Sequence, residues 1–596
     1  MDTEIANETR KATARQLEMQ LKTTAQDLHE SRALSKQLLE EREESEVELQ
    51  KVINKNSELR RELADNDVQL TDARGEVDRL QGTIDTFNQC ASTHEHLTVK
   101  CLGGSTSINY MMYTRGNRRD YDDLAIDGWA WEDLEPYFLK YEGLQDLDKL
   151  PPTSIPYHNT NGTMKVEFFG DSGNSWHSRI VQGFKTLNVP LNPDVNAESE
   201  IGVTQVVGYV HKGERMSTAR GYLARDDVKS VLKVAKDAHC AGVIFDDNNN
   251  AIGVKVITKD GSENKIFRLY ARKEVILSAG TIGTAQILML SGIGPAAHLN
   301  SLGIPVRADL PVGDNLSDHV LPLIYIPVPR GQDAPRINPF RAYSNAHDLM
   351  QWCKSRTGTL ASNGVTDVTV MLNTRCYDFG QHKLLHNSSE CELSSLQMVH
   401  SFIEYNQIPG NEDLVQRTTG LNMDIIQQLS ATNKNQAIIV ATPVVLRPYS
   451  RGTIRLTSTD PMEHPAIFPN YLADDRDVEE MLRSITILEH LVETPEYAAR
   501  NASILHLELP GCPEYSADRE GYWKCYIRHL TYSVFHAEGS ARLGAVVDGR
   551  LRVRGAARLR VADLGVLPDL PRGNTAAAAI AIGERVADFI LKGDKK

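Results

Sequence analysis

The run from Glu274 to Pro295 constrains the fold of this chain more than any other. Glu274-Val-Ile-Leu-Ser-Ala-Gly280 reads as a buried strand ending in a tight turn of small residues. Thr281-Ile-Gly-Thr-Ala-Gln-Ile-Leu-Met-Leu290 then reads as a helix, stopped by Ser291-Gly-Ile-Gly-Pro295. Strand, glycine turn and helix in that order form a crossover of a parallel α/β sheet, the shape that carries nucleotides. Ala279-Gly280-x-x-Gly283 is looser than a full dinucleotide fingerprint, so the segment alone suits a cofactor turn and a plain crossover equally well.

This α/β character begins only near residue 99. From Leu17 to Phe87 a 3-4 heptad stripe runs without a break, with 14 apolar residues at 21 seam positions and no proline before Pro136. That pattern predicts a coiled coil over residues 1–90, a homodimerising or tethering arm with Asn56 at an a position, or else a solvated charged helix. The first 90 residues carry 13 Lys+Arg and 20 Asp+Glu, half of the net charge of −14. So acidic a chain lacks the basic face a nucleic-acid partner requires. No apolar run approaches the ~20 residues of a membrane span, and Met1-Asp-Thr-Glu-Ile-Ala has none of the features of a signal peptide. The chain therefore reads as intracellular. Its eight cysteines lie scattered, with no CxxC pair, and predict neither a disulfide framework nor a metal site. Sequons occur at Asn161, Asn315, Asn387 and Asn501, triplets that also arise by chance.

Two further segments carry candidate chemistry. Cys101-Leu-Gly103-Gly104-Ser105-Thr-Ser-Ile-Asn109 pairs glycines that let backbone amides approach a flat or anionic ligand, though a Gly-Gly-Ser is more often a simple turn. Near the C-terminus, His536-Ala-Glu-Gly-Ser leads through the strand Leu559-Arg-Val-Ala-Asp563 to Pro571-Arg-Gly-Asn574-Thr575 and an alanine-rich helix. A histidine can take a hydroxyl proton and a second polar group can hold the oxygen, the parts alcohol oxidation needs. In isolation, His536 is equally a buried, hydrogen-bonded core histidine and Asn574 a helix N-cap.

Together the three segments resemble the glucose–methanol–choline (GMC) family of FAD-dependent oxidoreductases, over residues 100–592. Leu102-Gly-Gly-Ser-Thr-Ser-Ile-Asn with Tyr113-Thr-Arg-Gly-Asn looks like its first signature, and Ser278-Ala-Gly-Thr-Ile-Gly with Leu290-Ser-Gly-Ile-Gly-Pro like its second. Val312-Gly-Asp-Asn-Leu-Ser-Asp-His319 and the His536…Asn574 block complete the order, and the flavour is that of insect members similar to glucose dehydrogenase and ecdysone oxidase. The resemblance implies an α/β (α+β) two-domain flavoprotein body with FAD as cofactor, a small-molecule alcohol as substrate and no metal. It makes His536 the base and Asn574 the residue holding the substrate oxygen. Gly103, Gly104, Ser105, Asn109, Cys240, Ala279, Gly280, Asp563, Asn574 and Thr575 would line the cofactor. It also divides the body into an FAD-binding part at 99–320 with a substrate-domain insertion at about 150–224, a substrate domain at 321–534, and a C-terminal FAD part at 535–592.

One family part is missing. No Gly-x-Gly-x-x-Gly occurs in the chain, and the heptad arm stands in its place. The body is thus expected to be incomplete at its N-terminal βαβ unit and preceded by the coiled coil. Either the chain oxidises an alcohol with a weakly held or partner-supplied flavin, or it is a coiled-coil interaction protein, or a fused gene, that keeps a non-catalytic remnant.

Overall fold

The computed structural model describes residues 101–170, 176–260, 263–329, 346–362 and 368–593. The heptad stripe, and with it the coiled-coil reading, lies outside them. After a four-residue 3-10 turn at Gly104–Ser107 comes helix α1 (Trp131–Tyr141), then α2 (Trp176–Thr186) and strand β1 (Gly202–Gln205). The antiparallel meander β2 (Ala238–Phe245), β3 (Ala251–Asp260) and β4 (Glu263–Tyr270) leads into β5 (Val275–Leu277) and α3 (Gly280–Leu290). Next are β6 (Val320–Pro322), β7 (Ile324–Pro329), β8 (Val368–Leu372), β9 (Leu396–Ile403) and β10 (Gln436–Val445). Helices α4 (Asp475–Val492) and α5 (Arg519–Leu530), strands β11 (Thr531–Ser533) and β12 (Leu559–Val561), and helix α6 (Ala576–Lys592) complete the body.

The helices form because their apolar residues recur at helical spacing and their first turns are satisfied. Trp131, Leu134, Phe138 and Tyr141 give α1 one buried stripe, and the Asp133 carboxylate accepts the Ala130 N–H at 3.2 Å. In α4, Val478, Met481, Ile485 and Leu488 do the same behind the N-cap Asp474, which accepts the Arg476 N–H at 3.0 Å. Helix α3 buries residues all round, as an element sandwiched between layers does.

Two hydrophobic cores result. One lies under a seven-stranded antiparallel sheet ordered β11-β6-β10-β9-β8-β1, with β7 paired to β10 beyond β6. Helices α2, α4 and α5 cover it with Phe184, Met481, Leu488, Trp523 and Tyr526. The other gathers α1, α3 and α6 around the two-stranded parallel sheet β5–β12, in register Val275↔Leu559. Ile276, 40% exposed between buried Val275 and Leu277, belongs to a strand that has only one strand neighbour among the described residues. A parallel sheet is ordinarily flanked on both edges and covered on both faces; among the described residues this strand is flanked on one edge.

The cysteines depart from expectation. Cys376 bonds to Cys391 and Cys512 to Cys525, with Cα atoms 5.7 and 5.6 Å apart. Sequence separations of 15 and 13 residues carry no pairing signal, and only the folded path brings the sulfurs together.

Candidate active site

His536 follows β11 on a loop whose preceding residue, Phe535, sits at φ 60°. Its backbone N–H donates to Asp318 Oδ1 at 2.8 Å, and Asp318 Oδ2 accepts from Tyr471 at 2.7 Å and from Ser533 at 2.5 Å. The ring meets fully buried His319, Nδ1 to Nδ1 at 2.9 Å, with the two ring planes at 77°. His319 Nε2 lies 3.0 Å from the Leu446 carbonyl, which can only accept, so His319 Nε2 carries the hydrogen. Burial, with His536 and Arg447 nearby, holds His319 far below its ordinary pKa, so the ring is neutral and its Nδ1 is bare. His536 Nδ1 is then the donor of the pair, and Nε2 is left with the lone pair. Burial also pulls His536 down to about 4, which keeps that nitrogen unprotonated at neutral pH.

Asn574 does not cap α6. The N-cap is Thr575, buried and making no side-chain cap, while the Asn574 N–H donates to Thr114 Oγ1 at 2.6 Å. Its Oδ1 accepts from Gln397 Nε2 at 3.3 Å, which leaves Nδ2 as the amide's donor. The histidine pair and Asn574 hang on one stretch of β9 and its lead-in. Leu446, which holds His319, donates its N–H to the Ser395 carbonyl at 3.0 Å, and Gln397 is two residues further on. Tertiary structure thus draws residues 38 positions apart to one corner of the large sheet.

The other predicted residues fall into two groups. Gly103 and Gly104, at φ 87° and 54°, open the 3-10 turn. Open space borders Gly104, Ser105 is exposed, and Asn109 is held by Arg215 Nη1 at 2.7 and 3.0 Å. Cys240 sits at a bulge of β2 with its thiol partly buried. Ala279 and Gly280 stand exposed at the α3 N-terminus. Asp563 is turned inward. It accepts from Gly565 N–H at 2.9 Å and Thr284 Oγ1 at 2.5 Å, and also bonds the Gly280 amide. Burial raises it to about 6. His319 has no local signal as a working group, although Asp318-His319 closes the motif that begins at Val312, and Gln397 has none at all.

For FAD the fit is divided. His536, Asn574 and the open turn at Gly104 suit the redox end of a flat ring. The dinucleotide end is not framed by the described residues, where β5 has one unpaired edge and the Gly280 amide at the α3 terminus is taken by Asp563.

Comparison with known proteins settles the class. Sequence models of the GMC oxidoreductase match residues 84–321 and 448–583. Ecdysone oxidase of Bombyx mori is 32% identical over 496 residues, covering 82% of this chain and 70% of that relative. Glucose dehydrogenase [FAD, quinone] of Drosophila melanogaster is 31% identical over 504 residues, 83% of this chain and 74% of that relative. In fold, the body matches a formate oxidase of Aspergillus oryzae with a TM-score of 0.68 at 22% identity, over 83% of this chain and 84% of that one. Fold and relatives are those of a flavin-dependent oxidoreductase acting on CH–OH groups, with FAD as its cofactor. The chain belongs to the GMC oxidoreductase family.

Proposed function

We propose that His536 Nε2 is the base that takes the hydroxyl proton of a small-molecule alcohol, sugar or steroid as its CH–OH carbon becomes a carbonyl. The observation that carries this reading is the His319–His536 contact, in which His319 fixes the tautomer that leaves Nε2 bare. Asn574 Nδ2 donates to the substrate oxygen as negative charge develops there, held by Gln397 from the large sheet. Asp318 anchors the His536 backbone so that the imidazole does not swing away. When bound, FAD supplies the two-electron acceptor; the chain's own part is to hold the alcohol and receive its proton. Gly103, Gly104, Ser105, Ala279, Gly280 and Thr575 are the residues we assign to the cofactor's surroundings, with Asp563 fixing the α3 turn from within. Ecdysone oxidase among the relatives supports a steroid-sized alcohol. We further infer that the heptads of residues 17–87 pair two copies of the chain, which sedimentation of the full chain measures directly.

The test is to purify the full chain, record its visible spectrum, and assay alcohols with an artificial electron acceptor. Flavin absorbance near 450 nm, roughly where oxidised flavins absorb, together with turnover abolished in His536→Ala, supports the reading. A colourless chain that gains no activity on added FAD would favour the non-catalytic remnant.

A further inference from the structure

Two features stand outside the oxidoreductase chemistry, the four sequons within the described residues and the two disulfides, and they point to the same place. Three sequon asparagines, Asn161, Asn387 and Asn501, are exposed on turns or loops. The fourth is not available. Asn315, at φ 64°, donates its Nδ2 to the Pro568 carbonyl at 2.9 Å and is backed by Gly539, where an added Cβ would come within 2.9 Å of that same nitrogen. Its sequon ends at buried Ser317, one residue from Asp318 and two from His319. A glycan on half-buried Asn315 would have to break the bond to Pro568, whereas the other three side chains stand exposed to solvent.

The disulfides are independent of this. Such bridges persist where the surroundings are oxidising, as in secretory compartments, and not in a reducing cytosol. The Cys376–Cys391 loop also contains the Asn387 sequon, so one surface segment carries both marks. Cys512 and Cys525 lie with His529, whose Nδ1 is 3.8 Å from each sulfur. With the thiols reduced, those three groups would be a metal-binding set; the bonded sulfurs exclude that use.

We propose that Asn161, Asn387 and Asn501 are N-glycosylation sites, and that the body folds in an oxidising secretory compartment with Cys376–Cys391 and Cys512–Cys525 closed. The attachment site is the Asn side-chain amide, and the ligand class is an N-linked oligosaccharide.

To test this, the full chain is secreted from insect cells behind a cleavable leader, and its glycans are removed by peptide N-glycosidase in ¹⁸O-water. Peptide mapping is expected to find ¹⁸O-aspartate at 161, 387 and 501 and none at 315, and each of Asn161→Gln, Asn387→Gln and Asn501→Gln is expected to remove one step of gel mobility. Cys376, Cys391, Cys512 and Cys525 are expected to resist alkylation in unfolded, unreduced protein, while Cys101, Cys240 and Cys353 react. Label at fewer than three of those sites, or label at Asn315, overturns the glycosylation assignment. The same chain made in the cytosol tests the compartment. If its four thiols are free and it melts at the same temperature as the secreted form, or if it holds zinc at Cys512, Cys525 and His529, that part is wrong.

Discussion

At the scale of single residues, one hydrogen bond between two imidazoles sets the state of the proposed base. His319 sits on the one acceptor-only partner that fixes which of its nitrogens is bare, and this choice passes to His536. His319→Phe should therefore lower kcat about 10- to 100-fold, the usual effect of losing a group that orients a reactive histidine. His319→Gln, whose amide can still donate to Leu446 and accept from His536, should recover part of it. Single-turnover flavin reduction measures both. The pH profile offers a second check. Since burial lowers His536 to about 4, the base is unprotonated above that pH, and the acid limb of kcat/KM should fall near pH 4 and not near 6.5. Asn574→Ala should cost about 100-fold in kcat by removing the donor to the developing oxyanion. His536 and Asn574 were legible as candidate residues because their types match the chemistry. Their partners His319 and Gln397 were not, since an orienting role has no local pattern.

At the scale of elements, the strand–turn–helix of β5 and α3 was plain from the run of small and apolar residues, and α6 begins within one residue of its expected start. What pins the α3 N-terminus was not visible. Asp563, from the segment after β12, bonds Thr284, Gly565 and Gly280, and its removal strands those donors in a buried place. Asp563→Ala should destabilise the body by roughly 2–4 kcal/mol in chemical denaturation. The β5 edge makes a sharper test. Leu277→Ala should cost about 2–5 kcal/mol, whereas Ile276→Ser, at a partly exposed position, should cost about 1 kcal/mol or less. Equal losses at the two positions would mean that another segment covers Ile276.

On the scale of the whole molecule, one buried network ties the first glycine-rich stretch to the strand that enters the large sheet. Arg115 pairs with Glu142 at 2.8 Å, His158 bridges Glu142 and Asp194 at 2.8 Å each, and Asn196 Oδ1 accepts the Arg115 N–H at 2.8 Å. The His158 ring is fully buried, and against the cost of that burial its two carboxylate partners raise it to about 8. A histidine whose folded pKa lies above its unfolded value near 6.5 stabilises fully below about pH 6.5 and loses that contribution as pH rises through 8. The melting temperature should thus fall between pH 6.5 and 9, by the equivalent of about 2 kcal/mol. In His158→Gln the same interval should be flat. By itself the amino-acid sequence determined the α/β crossover, the buried faces of the helices, the family and its cofactor, and the lack of a glycine fingerprint, because these are written in short-range pattern and residue type. Only tertiary structure decided which imidazole nitrogen is bare, which cysteines bond, which sequon asparagine is tied to the backbone and where Asp563 points. Each of those depends on distances between residues far apart in the chain, and such distances exist only once the two cores have packed.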